Sequence, residues 1–226
     1  MNQSVLDFVA QCVGKEEIQG KRILEAGALD VNGSVRNVIQ PFGPELYVGV
    51  DIQVGPGVDE ICPAEGLISR FGEGAFDVVV STEMVEHAKL WREIIHNLKT
   101  VVRRNGLILL TTRSRGFHYH GYPHDYWRYE IEDIRKIFSD CLIEKLEKDS
   151  RSPGVMIKAR KPEVFAEVDL TEWKLYSVLH GKRVQSTNRF VELSMRRYYG
   201  LRNLVKRIIP GFARARQARR GRPSRP

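Results

Sequence analysis

The sequence has 226 residues, 42% of them hydrophobic and 28% charged, with a formal net charge of +8. That length fits one domain of ordinary size plus an appendage, and it is enough to bury a core. Cys12, Cys62 and Cys141 are odd in number and far apart, which excludes a disulfide framework or a cysteine metal motif and suggests a reducing compartment. The opening residues, MNQSVLDFVAQCVGKEE, lack the basic start and apolar run of a signal peptide. No apolar stretch approaches the ~18 residues that a membrane span needs, so the expected location is the cytoplasm.

The charge is unevenly spread. From residue 182 onward, 14 Lys and Arg face a single acid, Glu192, a net +13, while residues 1–181 carry 22 basic and 27 acidic residues, a net −5. A mildly acidic body with a strongly basic tail points to something anionic as the tail's partner.

In chain order, residues 4–13 read as a short amphipathic helix. Residues 21–51, KRILEAGALDVNGSVRNVIQPFGPELYVGVD, organise the rest of the chain. Residues 22–26 read as a buried strand, and a turn with Gly27 and Gly33 comes next. Residues 34–40 read as a helix broken by Pro41 and Gly43, and residues 46–50 as a strand ending in Asp51. Strand, glycine turn, helix and strand ending in an acid make the nucleotide-binding half of a doubly wound α/β fold. Gly27 lets the backbone approach a ligand with no Cβ in the way, and Asp51 can accept hydrogen bonds from two ribose hydroxyls. Leu29 stands where G-x-G-x-x-G would need its second glycine, so the usual dinucleotide fingerprint is excluded.

A short third strand is expected around residues 58–62 and a buried, β-branched fourth over 76–81, FDVVVS, as parallel-sheet strands tend to be. In residues 89–103, Leu90, Ile94, Leu98 and Val101 recur at helical spacing. Arg104-Asn105-Gly106 marks a turn before a fifth strand, 107–112. The loop 113–129, RSRGFHYHGYPHDYWRY, is dense in His and Tyr. A helix over 130–138 and two antiparallel strands, 142–148 and 155–161, close the domain at Lys161. Residues 163–187 carry no clear pattern. Residues 187–208 read as a helix with an apolar stripe, ended by Pro210-Gly211, and the Arg-rich residues 212–226 read as disordered.

Two stretches carry a resemblance. Glu25-x-Gly27 with Asn32-Gly33 beyond it, and FDVVVSTEMVEH followed by a helix and an apolar strand after Asn105-Gly106, resemble the class I S-adenosylmethionine-dependent methyltransferases, specifically the type 11-like enzymes of small molecules and glycans. The resemblance covers about residues 20–161. It implies an α/β, Rossmann-like fold with a seven-stranded, mostly parallel sheet, an antiparallel edge hairpin and helices on both faces. Residues 1–161 would be the methyltransferase domain and residues 162–226 a basic helical extension. The implied cofactor is S-adenosylmethionine, contacted by Glu25 through its ammonium, by Gly27 and Asn32, by Asp51 and Ile52, and by Thr82 and Glu83. The acid that commonly follows the third strand and meets the adenine amino group is replaced by Pro63, so backbone groups of Ala64 and Glu65 are assigned to the adenine edge.

Methyl transfer asks the protein to align a nucleophile behind the methyl group and to exclude water. A hydroxyl acceptor also needs a base, and His87, His118, His120 and His124 are the candidates for in-line transfer with a histidine general base. Tyr122, Tyr126, Trp127 and Arg128 are the expected acceptor-binding residues, with an Asp125–Arg128 pair holding loop shape as the simpler alternative for that stretch. Glu83, Glu86 and His87 could hold a hard divalent cation, and a similar E-x-x-E-H string does so in small-RNA 2′-O-methyltransferases. Here a metal is not expected, and the string is read as pocket lining and helix positioning. The leading reading is O-methylation of a sugar, glycan intermediate or small metabolite. The alternatives are an RNA methyltransferase that holds substrate on its basic tail, or a non-catalytic binding protein of the same fold. The tail is left open between nucleic acid, an anionic membrane surface at the inner face of the membrane, and packing on its own domain or on a homodimer mate.

Overall fold

The computed structural model describes residues 2–121, 124–188 and 191. The chain divides into two compact units, Met1–Ser186 and Thr187–Pro226. The expected helix over 187–208, the Arg-rich tail and almost all of the second unit lie outside the described residues.

In the first unit the order is α1 (Gln3–Cys12), α2 (Lys15–Ile18), β1 (Arg22–Ala26), α3 (Arg36–Ile39), β2 (Leu46–Asp51), β3 (Glu60–Ile61), α4 (Leu67–Phe71), β4 (Phe76–Thr82), α5 (Trp91–Val101), β5 (Val102–Arg113), β6 (Trp127–Arg128), α6 (Ile131–Ile137), β7 (Leu142–Lys148), β8 (Gly154–Arg160), β9 (Leu175–Ser177) and β10 (Lys182–Val184). Seven strands form one sheet in the order β3-β2-β1-β4-β5-β8-β7. The first five run parallel, and β8 and β7 add antiparallel at one edge. This is the expected architecture.

The sheet is buried on both faces because its central strands alternate between two apolar layers. Val79 of β4 faces one layer with Leu24, Trp91, Ile94, Leu98, Ile134 and Ile137, which brings α5 and α6 to that side. Val78 and Val80 face the other with Phe8, Val9, Val35 and Ile39, which brings α1 and α3 to the opposite side. Side chains of successive strand residues point to opposite faces, so a continuous apolar run serves both layers.

Some expected boundaries shift for local reasons. The expected helix over 34–40 is α-helical only from Arg36 to Ile39, and a 3₁₀ turn, Gln40–Phe42, follows. Pro41 has no N–H with which to continue the α ladder. The expected turn at 104–106 is instead an irregularity inside β5, where the pairing with β4 shifts register between Phe76 and Val78. Asn105 adopts a left-handed φ of 58° there, a conformation that a short polar side chain tolerates.

The largest difference lies after Lys161. Residues 162–186, expected in a helical extension, belong to the first unit and carry β9 and β10. These strands pair with β6 in a second, three-stranded sheet ordered β10-β9-β6. Arg92 of α5 holds this returning segment by donating to the carbonyls of Leu170 (2.7 Å), Trp173 (2.5 Å) and Gln185 (2.8 Å). Arg183 of β10 forks onto the buried carboxylate of Asp133 in α6. Among the described residues, no helix is long and apolar enough to cross a membrane.

One buried ion pair ties α5 to the end of α6. Lys99 Nζ lies 2.6 Å from Asp140 Oδ2 and also donates to the Ile137 carbonyl, with both side chains inaccessible to solvent. Removing one partner leaves an uncompensated buried charge. Asp140→Ala is expected to cost about 3–5 kcal/mol in urea denaturation. Asp7→Ala, which breaks the exposed pair with Arg151, is expected to cost less than about 1 kcal/mol. Equal costs for the two would contradict this account.

Candidate active site

In an open α/β sheet, ligands bind beyond the carboxyl ends of the strands. The loops leaving β1, β2, β4 and β5 meet there. Gly27 follows β1 with φ of 84°, and a Cβ on it would lie 2.7 Å from the Cβ and Cγ of Met84. The turn after β1 therefore packs directly on the segment that leaves β4. Its far side is braced by Gly57, where a Cβ would lie 2.4 Å from the Ala28 carbonyl. Asp30 N–H donates to the Pro56 carbonyl, and Gly33 N–H to Asp30 Oδ1 at 2.7 Å.

Asp51 closes β2. One of its carboxylate oxygens accepts Leu29 N–H at 3.3 Å and the other accepts Gln53 N–H at 3.1 Å. The acid thus joins the two loops on which a nucleoside would lie. Beside it, Ile52 is 53% exposed. Asn32 is exposed on the same turn. Ala64 and Glu65 sit after β3, and their carbonyls both accept Asn97 Nδ2 of α5, at 2.9 and 2.8 Å.

Glu25 is 1% exposed. Its carboxylate accepts the Tyr47 hydroxyl at 2.7 Å. Burial outweighs that hydrogen bond and the neighbouring Arg36 charge, and pushes the Glu25 pKa up to about 7. Tyr47 is in turn fixed by the Arg36 guanidinium stacked 4.5 Å above its ring. Arg36 pairs with Asp59, whose Oδ2 also accepts Gly49 N–H at 2.7 Å. Sequence pattern alone does not single out Tyr47, Arg36 or Asp59. The signal lay in strand register: Glu25 pairs with Gly49, and Tyr47 stands two residues earlier on the same face of β2.

The β4 exit divides the E-x-x-E-H string. Glu83 has φ of 57°, a costly conformation for a long side chain. Its carboxylate turns to Thr111 Oγ1 and to the Arg113 guanidinium, a role different from the expected cofactor contact. Thr82 is buried, with its hydroxyl lacking any hydrogen-bond partner. Glu86 is 0% exposed. Its Oε2 accepts Thr112 Oγ1 at 2.9 Å, and its Oε1 has no hydrogen-bond partner.

The histidines separate into distinct roles. His87 donates from Nδ1 to the His124 carbonyl. His120 donates from Nδ1 to Asp125 Oδ2 at 3.0 Å, and its backbone N–H donates to the same oxygen at 2.9 Å. The two rings stand edge to face, with centroids 4.7 Å apart. Burial alone would lower the His120 pKa, but the bond to Asp125 and the nearby Glu86 carboxylate outweigh it and push it up to about 9. His118 stacks on Phe117 at the exposed rim, and the His124 ring rests against Tyr126. The structure thus sets the His87 and His120 rings against each other, with the His118 ring edge-on to His120 at 6.1 Å between centroids and the His124 ring turned to Tyr126.

Three expected acceptor contacts are corrected. Trp127 is 0% exposed and donates Nε1–H to the Ala88 carbonyl. Arg128 is buried, forks onto Asp125 and donates to the His118 carbonyl at 3.1 Å. Tyr126 is buried as well. All three frame the loop from within, because a loop of this length must satisfy its own polar groups when it covers a core. The Asp125–Arg128 pair does hold the loop's shape. Tyr122 lies outside the described residues.

Comparison with known proteins agrees with this geometry. Residues 1–146 match the methyltransferase-domain family. The chain belongs to that family and is an S-adenosylmethionine-dependent methyltransferase of class I. No curated protein matches the sequence. Among solved structures, it is similar to Burkholderia thailandensis 1,6-didemethyltoxoflavin-N1-methyltransferase, bound to 1,6-didemethyltoxoflavin and S-adenosylhomocysteine, at 14% identity and TM-score 0.58, over 71% of this chain and 80% of that one. It is similar to Synechocystis PCC 6803 magnesium protoporphyrin IX methyltransferase with bound S-adenosylmethionine, at 18% identity and TM-score 0.53, over 70% and 78% of the two chains. A third is the complex of the Haloferax volcanii Trm112 methyltransferase activator with a methyltransferase, at 10% identity and TM-score 0.57, over 73% and 91%. These likenesses are of fold.

The buried carboxylate of Glu25 has a pH signature. A folded-state pKa raised from 4.5 to about 7 means that the protonated form is the favoured one in the fold. That advantage is present below pH 4.5 and is lost as pH rises through 7. In the cofactor-free protein, Glu25→Gln is expected to be more stable than the wild type at pH 8, by up to about 3 kcal/mol. The difference should shrink toward zero near pH 4.5. Urea denaturation across this range checks it, and a difference that does not vary with pH would refute the assignment.

Proposed function

We propose that this enzyme methylates an oxygen of a small hydroxylated acceptor: a sugar, a glycan intermediate or another small metabolite. The observation that carries the reading is the contact of Met84 with the Gly27 turn. That contact supports the reading because Glu86 and His87 follow Met84 within three residues, and His120 stands against His87.

The residues present fit S-adenosylmethionine. Glu25 offers a buried carboxylate to its ammonium, Asp51 offers carboxylate oxygens to its ribose, and Ile52 offers an exposed apolar surface to its adenine. Gly27 lets the turn after β1 close against Met84, where a Cβ would clash. The cofactor, when bound, supplies a methyl group already activated by sulfonium charge. The chain then has to hold the acceptor oxygen in line, exclude water and accept the hydroxyl proton.

Of the four histidines, His118 is turned to the rim and the His124 ring packs on Tyr126. The hydroxyl is therefore activated at the Glu86, His87 and His120 cluster. The loop that carries His120 covers the acceptor and excludes water. Its aromatic rim, Phe117 and His118, supplies flat surface for a sugar or ring.

Calorimetric titration with S-adenosylhomocysteine is expected to show one site per chain. Asp51→Ala should weaken it by about tenfold or more, as loss of one or two ribose hydrogen bonds predicts. Transfer of a labelled methyl to hydroxylated small molecules is the direct assay. A methyl recovered on nitrogen or carbon would overturn the acceptor class, and undiminished binding in Asp51→Ala would overturn the ribose assignment.

A further inference from the structure

We infer that Glu86, His87 and His120 form a binding site for a borderline divalent cation such as Zn²⁺, Co²⁺ or Mn²⁺. The inference deepens the proposed O-methylation and rests on it for its catalytic consequence. The site itself stands on geometry alone.

Both imidazoles have their tautomers set by their outer partners. His87 Nδ1 faces the His124 carbonyl and His120 Nδ1 faces the Asp125 carboxylate. Neither partner has a proton to give, so each Nδ1 carries the hydrogen. Once free of a proton at Nε2, each ring presents a lone pair there, so at His120 a bound cation takes the place of that proton. The two Nε2 atoms turn toward the same place, Glu86 Oε1, at 4.0 Å from His87 and 3.7 Å from His120. Both separations exceed hydrogen-bond reach. Glu86 Oε1 is buried and has no hydrogen-bond partner. A buried carboxylate oxygen with no partner within hydrogen-bond reach is unfavourable by itself.

An ion resolves this arrangement. The three donor atoms lie within 4.8 Å of one another. Ligand atoms around a tetrahedral centre with bonds of ~2.05 Å are about 3.3 Å apart, so the three need to close by only a few tenths of an ångström to somewhat over one. Each ligand is also held from behind, as metal ligands usually are. Thr112 holds Glu86 Oε2, the His124 carbonyl holds His87, and Asp125, itself forked by Arg128, holds His120.

Two imidazoles and one carboxylate favour a borderline ion over Mg²⁺ or Ca²⁺, which prefer oxygen. Glu83 is not among the ligands, because Arg113 and Thr111 hold its carboxylate. The set is therefore one that the local string could not supply, since His120 comes from the loop after β5.

Three protein ligands leave a coordination position open, as in catalytic sites. An acceptor hydroxyl in that position would be acidified and would give its proton to bulk water as it binds, before the loop excludes water. On this account His87 and His120 are ligands, and the ion takes the place of a histidine general base.

The test uses the full chain, stripped with chelator, and adds Zn²⁺ by calorimetry and Co²⁺ by visible absorption, without cofactor or acceptor. One ion per chain is expected, with the ligand-field bands of a low-coordinate Co²⁺ centre. His87→Gln and His120→Gln should each weaken binding more than tenfold, and Asp125→Asn by about 10- to 100-fold. The exposed His96→Gln should leave it unchanged. Melting temperature and S-adenosylhomocysteine binding of the same variants show that they are folded. Absence of binding at near-millimolar Zn²⁺, or binding that survives the His87→Gln/His120→Gln double variant, overturns the site. Cation binding in a protein that fails to methylate any hydroxyl would leave the ion in place and overturn only the acceptor reading.

Discussion

Parallel strands covered on both faces leave little room for chemistry along their length. β4 shows the consequence. Val78 and Val80 serve one apolar layer and Val79 the other, so the polar residues beyond them gather at the strand's carboxyl end. The same holds for β1, where Ile23 and Leu24 face opposite layers before Glu25 and Gly27. Every functional group of the site stands where a buried strand meets the sheet's edge. The helices on the two faces fix the sheet, and the sheet fixes which loops become neighbours.

Within that edge, charge is organised by burial. The Asp125 carboxylate is placed inside the loop after β5. Burial would oppose its ionisation, but the Arg128 fork and the His120 hydrogen bonds hold it well below the ordinary carboxylate range. This one buried group sets the position of His120, the backbone at residue 120 and the guanidinium that closes the loop. Removing either partner of such a pair is costly, and the loop's shape is correspondingly fixed. Glu86 sits at the other side of His120, so the imidazole lies between two carboxylates.

The returning segment after Lys161 gives the loop its second support. β9 pairs with β6, aligning Trp127 with Ser177 and Arg128 with Tyr176. Val178 N–H donates to the Tyr126 carbonyl. The histidine-bearing loop is thus bound on one side to the β4 exit, through Tyr126 N–H to the Glu86 carbonyl, and on the other to a segment some fifty residues later in the chain. A loop pinned at both sides can hold side chains in register more closely than a free one.

The sequence by itself determined the sheet, because hydrophobic periodicity and glycine turns are local signals. β1, β2, β4, β7 and β8 fall within a residue or so of the positions read from pattern alone, β5 starts five residues earlier than read, and Gly27 and Asp51 lie at the strand ends where a nucleotide-binding half requires them. Tertiary structure decided everything that depends on partners distant in the chain. Trp127 and Arg128 looked like ligand contacts by residue type, yet β9 and the Ala88 carbonyl draw them inside. Glu83 looked equivalent to Glu86 within one short string, yet Arg113 takes the first and leaves the second bare. His120 gains its meaning only from Asp125 and from a carboxylate in the turn after β4. Spacing along a chain records which residues can share an element. It carries no record of which buried charges meet across elements, because that depends on burial and on the cost of leaving any one of them unpaired.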